Sequence, residues 1–209
     1  MTRFAWPLLV LAALATQGCE LAILGGGAAA INAIEDRRTS GTMFDDDGIE
    51  TRVRRSVREW FGENTHVNVT SFNRTLLLTG EVPNEATRAQ IEKMALENAN
   101  LRGLTNELQI AAVSSGTARA NDSIITTKVK ARLLDSNKVN PVHVKVVTEA
   151  GVVYLLGLVT ETEANDAVEV ARNTGGVIKV VKIFELCKPA DAVCRPRGDP
   201  AAQKPQPGA

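Results

Sequence analysis

The sequence predicts an α+β chain of two tandem domains, each of order αββαβ with a three-stranded sheet packed on two helices. Three observations carry this. First, the chain repeats itself. Val67-Asn68-Val69 followed by Leu76-Leu77-Leu78-Thr79-Gly80-Glu81-Val82 returns 77 residues later as Val144-Lys145-Val146 followed by Val153-Tyr154-Leu155-Leu156-Gly157-Leu158-Val159. His66 and His143 coincide as well, and so do Asp46, Ile49, Val53 and Val57 with Asp122, Ile125, Val129 and Leu133 at a spacing of 76. Second, apolar periodicity changes in the same order in both copies, from a helical stripe to β-rich runs and back. Third, Asn73-Arg74 and Ala150-Gly151 sit where tight hairpins need residues that tolerate positive φ.

Taken in order, residues 1–18 read as an export signal. Arg3 gives a positive start, Phe4 to Ala15 is uncharged, and Thr16-Gln17-Gly18 leads into Cys19. The run is shorter than the ~20 residues a membrane-crossing helix needs. A small residue followed by cysteine resembles a bacterial lipoprotein cleavage site, with Thr16 departing from the usual Leu. Cys19 is then the lipidation site; the alternatives are an ordinary secretory signal or an uncleaved anchor. Glu20 in place of Asp favours the outer membrane, lipid-anchored and facing the periplasm. Residues 19–45, with Gly25-Gly26-Gly27, read as a lipidated N-terminus and flexible spacer.

Each domain, 46–112 and 120–186, opens on a helix with a stripe at i, i+4, i+8 (Ile49, Val53, Val57; Ile125, Val129, Leu133). Asp46/Asp47 and Asp122/Ser123 are the expected N-caps. Strands are expected over 66–71 with 75–82 and over 142–148 with 152–159. A second helix follows at 84–99 and 161–173, then a last strand at 103–111 and 177–186. Residues 113–119 form a Ser/Gly/Ala-rich linker. From 187 to 209 the Pro/Gly/Ala/Lys composition predicts a disordered tail. Cys187 and Cys194 within it can form a local disulfide in an oxidising envelope, or stay as free or intermolecular thiols.

Composition excludes several functions. Lys+Arg and Asp+Glu both number 24, and aromatic residues are 4%. Neither a basic surface for wrapping nucleic acid nor a stacking platform is available, so no nucleic-acid partner is expected. No nucleophile elbow, Walker loop or clustered Cys/His ligands appear, so the sequence nominates no catalytic residue, no metal site and no cofactor. His66 and His143 at equivalent strand starts read as one repeated structural position. Glu161 and Glu163 fall in the first turn of a helix, where the dipole favours carboxylates.

The repeated unit over about 46–111 and 120–186 resembles the BON domain, and the second-repeat run from Val147 to Glu161 is its longest specific stretch. With the leader, Asp36-Arg37-Arg38-Thr39-Ser40-Gly41-Thr42, Asp45-Asp46 and Ile125-Thr126-Thr127-Lys128-Val129, the chain is similar to dual-BON outer-membrane lipoproteins. The resemblance implies phospholipid binding through the second domain and a role in outer-membrane integrity.

The first helices differ between copies. At 100° per residue, the outward side in the first domain presents Gly48, Arg52, Arg55 and Arg58. The second presents Ile124, Lys128, Ala131 and Leu134, with Lys130 beyond. Apolar side chains left over beside cations suit an anionic phospholipid membrane, the expected partner. The alternatives are that Ile124 and Leu134 pack on the first domain or linker, or that an envelope protein partner takes the same surface, as in a periplasmic adaptor. The first domain has 8 basic and 10 acidic residues over 46–112 and suits an acidic surface poorly.

Overall fold

The hydroxyl of Thr39 starts the first helix by accepting the Thr42 amide at 3.1 Å, so α1 runs Ser40–Phe61, six residues longer than the expected domain start. This is a computed structural model describing residues 36–98 and 100–194; the export signal, Cys19, the glycine spacer and residues 195–209 lie outside the described residues. After α1 come β1 (His66–Phe72), β2 (Thr75–Val82), α2 (Glu85–Asn98) and β3 (Gly103–Ile110). Ser115 then caps α3 (Gly116–Ser136), followed by β4 (Val144–Glu149), β5 (Val152–Val159), α4 (Glu161–Arg172) and β6 (Lys179–Leu186). A short 3-10 turn precedes β1 and another precedes β4. The order is αββαβ twice. Among the described residues no helix is long and apolar enough to cross a membrane.

Two of the four residues expected as caps, Asp46 and Asp122, do something else. Asp46 and Asp122 lie inside α1 and α3, and each carboxylate reaches across to hold the neighbouring hairpin. Asp46 accepts the amides of Asn73 and Arg74, both at 2.8 Å, and the Ser71 hydroxyl at 2.6 Å. Asp122 accepts the amides of Ala150 and Gly151, both at 2.9 Å. The two-residue turns have φ of 51° and 63° at Asn73-Arg74 and 49° and 75° at Ala150-Gly151. Both central residues are left-handed, as a hairpin matching the strand twist requires, and the aspartate stabilises the amides that this turn leaves unpaired.

In each sheet the middle strand pairs antiparallel with the one before it and parallel with the one after the helix. Gly80 lies opposite Val67, and Gly157 opposite Val144. A Cβ on Gly80 would sit 2.0 Å from the His66 carbonyl oxygen, and one on Gly157 2.4 Å from that of His143. The repeated glycine is therefore a steric requirement of strand approach.

One face of each sheet packs on its helices: Ile49, Val53, Leu76, Leu78 and Ile91 in the first domain, Ile125, Val129, Leu133, Val153 and Leu155 in the second. The other face of each sheet is also buried. Leu77 on β2 joins Tyr154, Leu156 and Leu158 on β5 in a third core with Phe72 and Cys194, so the helix-free faces of the two sheets pack on each other. That is why the middle strands are apolar without alternation, and each fully buried Leu there contributes about 2 kcal/mol. Lys145 on β4 adds a bridge to Glu50 of α1 at 2.7 Å.

The tail corrects a second expectation. It is folded from Cys187 to Cys194: the Cys187 amide bonds the Val159 carbonyl at 3.0 Å, and the Cys194 amide that of Asp191 at 3.0 Å. A disulfide joins Cys187 to Cys194, and Cys194 is buried against the third core.

Candidate functional site

The stripe Ile125, Val129 and Leu133 turns inward to the core, which fixes what α3 shows to the outside. Ile124 is 53% exposed and Leu134 61%, and Lys128, Lys130 and Ala131 are exposed with them. Neither apolar side chain is covered by the first domain or the linker. Thr127 and Ser123, on the same side, give their hydroxyls to the carbonyls of Ser123 and Arg119 at 2.9 and 3.0 Å, which satisfies them within the helix. Asp135 is an exposed acid at its C-terminal end.

The sequence pattern had placed Ile178 in a strand; it lies instead in the loop after α4 and is exposed. Its amide bonds the carbonyl of Gly151, the residue held by Asp122, two positions before Ile124. A further apolar side chain thus stands at this end of the domain, and only the turn geometry could have revealed it. The matching face of α1 carries Gly48, Arg52, Arg55 and Arg58, the arginines exposed and Arg55 paired with Glu59 at 2.7 Å.

The two histidines, equivalent in sequence, have different surroundings. His143 faces Glu163 at 3.8 Å. His66 Nδ1 lies 3.0 Å from Glu81 Oε2 on the adjacent strand and 3.8 Å from Glu149 Oε1 of the second domain. Glu149 accepts Asn68 Nδ2 at 2.7 Å and the Thr79 hydroxyl at 3.2 Å, and Glu81 accepts the Ser114 amide at 3.2 Å. Burial pushes the Glu149 carboxyl above the usual carboxylate range, and the charge of Glu81 adds to this against the pull of Asn68, His66 and Thr79. Tyr154 nearby is pushed up to about 12, by burial first and then by the charges of Glu107 and Glu149. Sequence reasoning could not find this cluster, because its members come from both domains.

Glu163 also does more than favour a helix dipole. With Thr160 it closes a capping box at the start of α4, and Arg37 pairs with its carboxylate.

The BON domain family profile matches residues 45–112 and 121–187. The chain is 36% identical over 171 residues to outer membrane lipoprotein DolP of Haemophilus influenzae, covering 81% of this chain and 89% of that protein. It is 33% identical to a 21 kDa hemolysin of Actinobacillus pleuropneumoniae (71% and 78% covered) and 28% identical to osmotically-inducible protein Y of Escherichia coli (67% and 72%). The duplicated αββαβ units, their hairpin-holding aspartates and these matches lead to one conclusion: the chain belongs to the BON domain family and carries two such domains.

Proposed function

We propose that this chain is an envelope lipoprotein, anchored through Cys19 in the outer membrane facing the periplasm, whose second BON domain docks on anionic phospholipid and supports outer-membrane integrity. It is not an enzyme, its family being non-catalytic. The observation that carries the docking is the exposed face of α3, where Ile124, Ala131 and Leu134 stand among Lys128 and Lys130, while the matching positions of the twin helix are Gly48, Arg52, Arg55 and Arg58 and its exposed apolar side chains, Phe44 and Trp60, lie nearer its two ends. Apolar insertion and headgroup attraction are the two terms that hold a peripheral helix to an acidic bilayer. Each lysine adds about 1 kcal/mol near such a surface, so the face is weak alone and acts with the lipid anchor through effective concentration. The similarity to DolP, an outer membrane lipoprotein by name, supports the location.

The test is flotation of the full chain carrying Cys19→Ser, which removes the anchor, with zwitterionic and with acidic vesicles. Binding to acidic vesicles is expected, falling about tenfold in Ile124→Glu and in Leu134→Glu and unchanged in Arg55→Gln. Equal binding by all variants sinks the assignment to α3. Loss of a protein complex in pulldowns, with flotation intact, would instead favour the adaptor.

A further inference from the structure

We propose that His66, Glu81 and Glu149 form a binding site for a divalent transition-metal ion of the zinc class, held between the two BON domains. This is independent of the lipid-docking face on α3.

The donor set is one imidazole nitrogen and two carboxylate oxygens, all within 4.8 Å of one another. Zinc takes both kinds of donor, imidazole nitrogen and carboxylate oxygen, at about 2.0–2.2 Å, and a site with three protein ligands leaves the fourth position to water. Such bonds at a tetrahedral centre put ligand atoms about 3.3 Å apart, and the His66 Nδ1 separations of 3.0 and 3.8 Å bracket that value. Magnesium and calcium prefer oxygen-only shells, so the imidazole selects against them.

Comparison of the two repeats strengthens the case. Counting along the aligned strands, Glu81 corresponds to Leu158 and Glu149 to Phe72, and both of those hydrophobic residues are buried in the third core. Each domain can therefore fill the position with an apolar side chain, yet the shared interface buries a carboxylate at both: Glu81 is 7% exposed and Glu149 5%. Two buried carboxylates close together are costly unless a cation compensates them. A second shell is in place. Asn68 and Thr79 orient Glu149, and the Ser114 amide holds Glu81. The Ser114 hydroxyl, buried beside this contact, has no hydrogen-bond partner among the described residues. Access comes from either side: His66 and Glu149 line a cleft of about 420 Å³, and Glu81 and Glu149 line another of about 320 Å³.

The full chain in detergent, disulfide intact and stripped with a chelator, would be titrated with zinc chloride and bound metal measured after dialysis in millimolar magnesium. One zinc per chain is expected, with a rise in Tm. His66→Gln and Glu149→Gln should bind at least about tenfold more weakly, whereas His143→Gln binds as the wild type does. Cobalt(II) bound by the wild-type chain should show tetrahedral ligand-field bands, a readout that does not depend on any variant folding. No stoichiometric zinc on the wild-type chain, or equal binding by His66→Gln, overturns the proposal and leaves the cluster as a hydrogen-bonded contact.

Discussion

Arg37 grips Glu163 with two parallel hydrogen bonds, Nη1 to Oε2 at 2.7 Å and Nη2 to Oε1 at 2.9 Å. The same guanidinium donates to the carbonyls of Leu158 at 3.0 Å and Cys194 at 3.4 Å. The segment ahead of α1 is thereby fastened to the second domain, at the start of α4 and beside the disulfide loop. The two residues lie 126 positions apart in sequence.

This pair gives a pH signature. Burial raises the Glu163 pKa, but hydrogen bonds from Arg37 and the Thr160 amide, with the Arg37 charge, outweigh it and hold the carboxyl below its ordinary 4.5. A depressed carboxylate contributes stability that is present above 4.5 and lost as the pH falls from there through the lowered value. Arg37→Ala should cost about 2 kcal/mol at neutral pH. In urea titrations the gap to wild type should narrow below pH 4.5; a gap independent of pH would contradict the pairing.

The hairpin aspartates should be expensive to remove. Asp46→Ala strands two backbone amides and a hydroxyl in a buried turn, and Asp122→Ala strands two amides. Each unsatisfied group costs about 1–3 kcal/mol. Urea unfolding should rank Asp46→Ala as the more damaging, and amide exchange at Asn73 and Arg74 should accelerate in it.

Gly157→Ala and Gly80→Ala test the strand approach. The added carbon meets a backbone carbonyl, which has no rotamer with which to retreat. A loss of about 3 kcal/mol is expected for either. Alanine at Gly175, which meets nothing within 4 Å and has no positive φ, should leave Tm within about a degree or two and serves as the control.

Reduction of the disulfide, or Cys187→Ser with Cys194→Ser, should lower stability by about 2 kcal/mol. Hydrogen exchange should rise first over 187–194, because the loop seals one edge of the third core next to Leu158. Unchanged protection there would mean that the amide bonds of Cys187 and Cys194 suffice.

Much of the fold was legible because each domain keeps its own arithmetic. Ile49, Val53 and Val57 recur as Ile125, Val129 and Leu133, and the turn pairs Asn73-Arg74 and Ala150-Gly151 announce the hairpins. The outward side of α3 was legible for the same reason, since helical spacing alone separates Ile124 from Ile125. What escaped depends on pairing between domains. Leu77, Leu156 and Leu158 look like ordinary strand residues until the opposite sheet is in place. Glu81 and Glu149 lie 68 positions apart and meet only through that pairing. Asp46 was misassigned as a cap because a carboxylate near a helix start has two uses, and only the neighbouring turn decides between them.

The joined sheets bear on how the protein should be handled. Cutting the chain near residue 115 would lay bare Leu77 on one piece and Tyr154, Leu156 and Leu158 on the other. Such fragments would adhere to one another or to any oily surface through a side the intact protein never displays. Vesicle adsorption by an excised half would then report the cut, and dissection by point substitution in the whole molecule is the sounder route.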